Sequence, residues 1–148
     1  MFGSIVVGTD GSETAQEAVR QAIELARIAG AALEIVSAYE PVSAQRLRDE
    51  ANEAPKDMQW SISPREDVDA TLQEAAEQAS EAGVTTVRTF ARQGDPADSI
   101  LDVAEEQGSD LIVVGNKGMT GAKRFLLGSV PNKISHNAPC SVLIIRTT

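Results

Sequence analysis

Aromatic residues are nearly missing from this chain: one tryptophan, one tyrosine and three phenylalanines in 148 residues. A core built from such a sequence must consist of Ala, Val, Ile and Leu. There is one cysteine, which excludes an intrachain disulfide framework and suits a reducing compartment. There is one histidine, His136, and no CxxC pair, so neither a clustered metal site nor a Cys–His dyad has the residues it needs. No apolar run reaches the length that spans a bilayer, and the opening MFGSIVVGTDGS lacks the basic start of a signal peptide. A soluble, cytoplasmic protein with no membrane contact is expected. Two familiar phosphate motifs are absent as well. No GxxxxGK[ST] occurs, and Gly8-Thr9-Asp10-Gly11 is not GxGxxG.

Acidic residues stop at Asp110. The net charge of −9 repels a phosphate backbone and argues against general nucleic-acid binding. Yet all 22 acids lie at or before Asp110, against 8 of the 13 basic residues. The remainder carries Lys117, Lys123, Arg124, Lys133 and Arg146, a segment that favours a polyanion unless it is only a solvated basic face.

What is present is a repeating strand–helix pattern over a length that suits one domain, residues 1–148. Short runs rich in β-branched residues fall at Ser4–Thr9, Leu33–Tyr39, Val84–Arg92, Leu111–Val114 and Ser141–Arg146. Between them, apolar residues at helical spacing predict helices over Ser12–Ala29, Arg65–Ala82, a stretch opened by Asp95-Pro96 and closed by Gly108, and Ser129–Asn137. The first helix has two candidate starts, Ser12 and a Thr14/Glu17 capping box. Residues 41–64 carry three prolines and Trp60 and read as an irregular excursion or lid, with a short helix over 44–54 as one option. The expected fold is α/β: a doubly wound, open, parallel five-stranded sheet of order 3-2-1-4-5, with helices on both faces. That order places the topological switch between the first and fourth strands, so Asp10 and Gly115 would face one crevice.

The chemistry concentrates there. Strand Leu111–Val114 breaks into Gly115-Asn116-Lys117-Gly118, and nine residues later comes Gly128-Ser129 at a predicted helix start. Glycines admit close backbone approach, and a helix N-terminus presents free N–H groups with a positive dipole end. Together they make an anion site suited to phosphates. Asp10, at the end of the first strand, could accept from a ribose or hold a phosphate-bound metal ion; the alternative is a turn aspartate bonding its own backbone. His136 and Cys140 read as surface and packing residues.

The spacing Gly-x2-Gly-x9-Gly-Ser, with Asp10-Gly11-Ser12 early and a short last strand at Cys140–Ile145, resembles the ATP-binding type of the universal stress protein family. That resemblance implies an adenine nucleotide, ATP or else AMP or cyclic AMP, with Mg through the phosphates as an option. It implies phosphate contacts at Gly115, Gly118, Gly128 and Ser129, with Val130 adjoining, and a nearby charge at Lys117. Nucleoside contacts would fall at Asp10, beside Thr9, and at backbone near Ala38. Relatives that bind nucleotide often carry a hydroxyl where Val130-Pro131 stands here, and the proline removes a donor. The resemblance also implies a homodimer, and the C-terminal strand, as an apolar edge, invites pairing with a second chain. Two other functions stay open: slow ATP hydrolysis or self-phosphorylation on Ser129 or Thr120, for which Asp10 is the one obvious base, and a nucleotide-independent interaction module.

Overall fold

The protein is described by a computed structural model covering residues 2–39, 64–116 and 128–147. In chain order these residues form β1 (Ser4–Gly8), α1 (Glu13–Ala29), β2 (Ala32–Tyr39), α2 (Pro64–Glu81), β3 (Val87–Gln93), α3 (Pro96–Gln107), β4 (Leu111–Gly115), α4 (Ser129–Asn137) and β5 (Ser141–Ile145). The reading of residues 41–63, Trp60 included, as an excursion or lid lies outside the described residues.

The five strands make one parallel sheet in the order β3-β2-β1-β4-β5, as the strand–helix alternation predicts. Alternation along each strand sends its side chains to two cores. Ile5, Val7, Leu33, Ile35, Leu111 and Val113 pack under α1 and α2. Val6, Val36, Ile112 and Val114 pack under α3 and α4. Small residues let the helices lie close: α1 turns Ala18, Val19, Ala22, Ile23 and Ala26 to the sheet.

The helix ends follow local chemistry. Ser12 wins the competition to cap α1, because it is extended and its hydroxyl accepts from the Ala15 amide at 3.2 Å. Asp95 caps α3 by accepting from the Asp98 amide at 3.0 Å, with Pro96 as the first helical residue. One boundary differs from expectation. β3 starts at Val87 rather than Val84, because the Val84 amide is spent on the Ala79 carbonyl at the end of α2. The ladder therefore begins three residues later.

One buried charge interrupts this apolar frame. Glu34, in the middle of β2, is only 1% exposed. Its two carboxylate oxygens each lie 3.1 Å from the Ser4 hydroxyl, and Arg88 on β3 donates to one of them at 3.2 Å. Burial pushes the Glu34 carboxyl above its ordinary value, against the opposing pull of Ser4 and Arg88. Close by, Asp110 accepts from the Gly3 and Ser4 amides at 2.9 and 3.1 Å and so pins the entry of β1 to that of β4. The bond from the Gly3 amide leads in holding the Asp110 carboxyl below its usual range.

Candidate functional site

The strands' carboxyl ends converge where β1 and β4 leave the sheet in opposite directions, the crevice in which open α/β sheets take ligands. The register aligns Val7 with Val113, so the two strands run out side by side, β1 at Gly8 and β4 at Gly115. At the β1 side, Thr9 is buried and its amide donates to the Val36 carbonyl at 2.9 Å. The Thr9 hydroxyl accepts from the Gly11 amide at 3.1 Å. Asp10 is exposed, and one of its oxygens accepts from the Ser12 amide at 2.9 Å. It does serve its own turn, as an aspartate at this position often does.

Gly11 has no substitute in this turn. Its φ is +82°, and a Cβ there would stand 2.9 Å from Thr71 Oγ1 on α2. The turn is therefore pressed between the sheet and α2. A cavity of about 40 Å³ lies beside it, lined by Thr9, Gln16, Thr71 and Glu74 among others. That space is too small for a nucleotide, since ligand pockets run to roughly 300 Å³ or more.

Ala38 presents backbone to the same crevice. Along β2, residues with even numbers turn their amide and carbonyl toward β1, as the Ala32 and Val36 bonds show. Odd ones turn toward β3: Leu33 donates to Thr86, and Tyr39 accepts from Gly94 at 2.8 Å. Ala38 thus points its donor and acceptor to the β1 side, past Thr9, where β1 has already turned away. Tyr39, next along, holds the start of α2. Arg65 donates to its hydroxyl at 2.8 Å and stacks over its ring at 4.8 Å.

On the β4 side, Gly115 ends the strand and Gly128 caps α4 with no side-chain bond of its own. The Gly128 amide is already used, donating to the Asn116 carbonyl at 3.0 Å. Pro131 has no N–H, and the Asn132 amide closes the first helical bond onto Gly128 at 3.0 Å. Helix geometry leaves the amides of Ser129 and Val130 without an intrahelical partner. They are the two donors that α4 can offer a ligand, and the dipole adds its positive end at the same place. Lys117 and Gly118 lie outside the described residues.

The basic character of the last third is smaller at this site than the composition suggests. Lys133 sits between Asp98 at 2.8 Å and Asp95 at 3.4 Å, both from the first turn of α3 or its cap. These neighbours raise its pKa, the Asp98 bond foremost, and its charge is answered within the protein. Among the described residues, no group of three or more His, Cys, Asp or Glu side chains converges to hold a metal ion. His136 lies on the surface and faces the Asn132 carbonyl at 2.7 Å. Cys140 is half-buried against the α3–α4 core, and burial pushes its thiol up.

Asn116 is the participant that the spacing alone did not single out. It occupies a variable place in the glycine motif, and its partners at residues 128, 145 and 147 come together only in the fold.

Comparison with known proteins agrees with this architecture. A sequence model of the universal stress protein family matches residues 1–146. A universal stress protein of Mycobacterium tuberculosis is 37% identical over 147 residues, covering 99% of this chain and 98% of its own. Universal stress protein YxiE of Bacillus subtilis is 35% identical over 161 residues, with 99% and 100% covered. Among solved structures, a universal stress protein in complex with cAMP superposes with a TM-score of 0.75 at 35% identity, covering 99% of both chains.

Proposed function

This chain belongs to the universal stress protein family, and we propose that it binds an adenine nucleotide in the crevice between β1 and β4, without rapid turnover. The observation that carries this reading is the start of α4, where the Ser129 and Val130 amides have no partner among the described residues. The phosphoryl oxygens accept from these two amides. The ribose lies toward Asp10, and the adenine edge reads the backbone of Ala38. Gly115 and Gly128 keep the backbone free of side chains around the phosphate, with Thr9 beneath the turn; the phosphate roles expected of Lys117 and Gly118 fall outside the described residues.

Two amides match one phosphoryl group better than three. Among the described residues, with Gly128 spent, Pro131 lacking a donor and Lys133 paired with Asp98, the donors fit AMP or cyclic AMP ahead of ATP. The cAMP complex of a 35% identical relative supports the same class of ligand. Rapid hydrolysis of ATP has little to work with. Asp10 is the only carboxylate on the β1 turn, and one of its oxygens is engaged with Ser12. Titration calorimetry against AMP, cyclic AMP, ATP and adenosine tests the reading. AMP or cyclic AMP should bind about tenfold or more tightly than adenosine, the difference being the phosphate contribution. No binding of any of the four up to millimolar concentration would leave a nucleotide-independent interaction module in its place.

The same reading includes a homodimer through β5. This strand ends the sheet beside β4, and Val142, Leu143, Ile144 and Ile145 are only half-buried in the single chain. Sedimentation equilibrium at micromolar concentration should give twice the chain mass of 15.7 kDa. A single-chain mass throughout would remove the dimer.

A further inference from the structure

Four hydrogen bonds pass through Asn116. Its amide donates to the Ile145 carbonyl at 2.8 Å, and its carbonyl accepts from the Gly128 amide at 3.0 Å. Its side-chain oxygen accepts twice from one residue near the chain end, from the Thr147 amide at 2.9 Å and the Thr147 hydroxyl at 3.0 Å. A backbone N–H can only donate, so the side-chain atom facing it is the oxygen. One residue thus joins the end of β4, the tail beyond β5 and the cap of α4.

We infer that Asn116 is a positioning residue for the phosphate-binding amides: held at its side chain by Thr147 and bonded at its carbonyl to the Gly128 cap of α4, it fixes where Ser129 and Val130 point. This inference rests on the nucleotide reading given above. The chemistry of the residue supports the role. An asparagine oxygen accepts both Thr147 bonds while remaining neutral. An aspartate would accept them equally well, but would set a negative charge beside the place reserved for an anion. An aliphatic residue would free the tail and leave the Thr147 donors to water. With the side chain anchored, the carbonyl of the same residue stays aimed at Gly128, and the first turn of α4 inherits that orientation. Thr147 is bonded to the Asn116 side chain, so its influence on affinity would run through that residue.

The test compares AMP with adenosine by calorimetry for the intact protein and four variants, with the thermal midpoint followed in parallel. Asn116→Ala should weaken AMP by about tenfold while changing adenosine by no more than about twofold. Asn116→Asp should also weaken AMP selectively, through charge. Thr147→Val, which removes one of the two donors, should weaken AMP by about threefold, and Thr147→Ser should match the parent. Should Asn116→Ala fail to fold, the Thr147 pair carries the test by itself. An unchanged ratio of AMP to adenosine affinity in Asn116→Ala and Thr147→Val overturns the inference, and so does an equal loss for both ligands. If the parent protein binds neither, the nucleotide reading itself falls; if the parent binds AMP and the variants bind it identically, only the role of Asn116 falls.

Discussion

Ser129→Pro is expected to weaken AMP binding by about tenfold to a hundredfold while leaving the thermal midpoint within about 2 °C of the parent. The substitution removes one N–H together with the side-chain hydroxyl. Ser129 is the first residue of α4, where proline's fixed φ suits the helix and the missing donor has no helical partner to lose. A proline also requires the residue before it to be extended, and Gly128 already has φ −62° and ψ 162°. The side chain is exposed, so the ring meets solvent. The predicted loss is that of one hydrogen bond to a charged acceptor, about 1.5–3 kcal/mol. Ser129→Ala separates the amide from the hydroxyl. It keeps the N–H and should bind AMP within about threefold of the parent. If the alanine variant loses as much as the proline variant, the hydroxyl is the contact and the amide is not.

The second large effect concerns stability and pH. Glu34→Gln should stabilise the protein at neutral pH and above, by about 1–2 kcal/mol, with the advantage shrinking as the pH is lowered. The folded carboxyl is pushed above the ordinary 4.5 because it is buried. A folded state that holds its proton more tightly than the unfolded chain loses stability as pH rises through the window from 4.5 to the raised value. Above that window the charge must be carried inside the sheet, with Arg88 and Ser4 as its only compensation. Glutamine keeps an acceptor for Arg88 and a donor for Ser4 without the charge. Urea unfolding at pH 5 and pH 8 reads the difference. Equal gains at both pH values would mean that the benefit comes from packing and not from the removal of a buried charge. Asp110 acts in the opposite sense: its lowered carboxyl contributes stability at neutral pH that is lost as the pH falls through its folded value.

The sheet order was legible because each strand announces itself by composition and each helix by period. Leu111–Val114 is apolar throughout because β4 lies inside the sheet with both faces covered, while Val87–Gln93 carries Arg88, Thr89, Arg92 and Gln93 because β3 is an edge. Caps were legible too, since Asp95-Pro96 and Gly108 act on backbone within a turn of themselves. What escaped depends on partners far apart in sequence. Glu34 is a single charged residue in an otherwise uncharged strand, and its partners Ser4 and Arg88 stand 30 and 54 residues away. The hydrogen bonding at the α4 start is hidden for the same reason. Nothing local to Gly128 says that its amide is taken by Asn116, or that Lys133 answers to acids on α3.

An amide proton–nitrogen correlation titration with AMP tests the central claim most directly, because it reads each backbone donor separately. The Ser129 and Val130 signals should shift the most, moving downfield as their protons meet phosphate, with Ala38 responding to the base and Gly128, already bonded to Asn116, moving less. Saturable binding that leaves Ser129 and Val130 where they were would contradict the account and place the nucleotide elsewhere on the molecule.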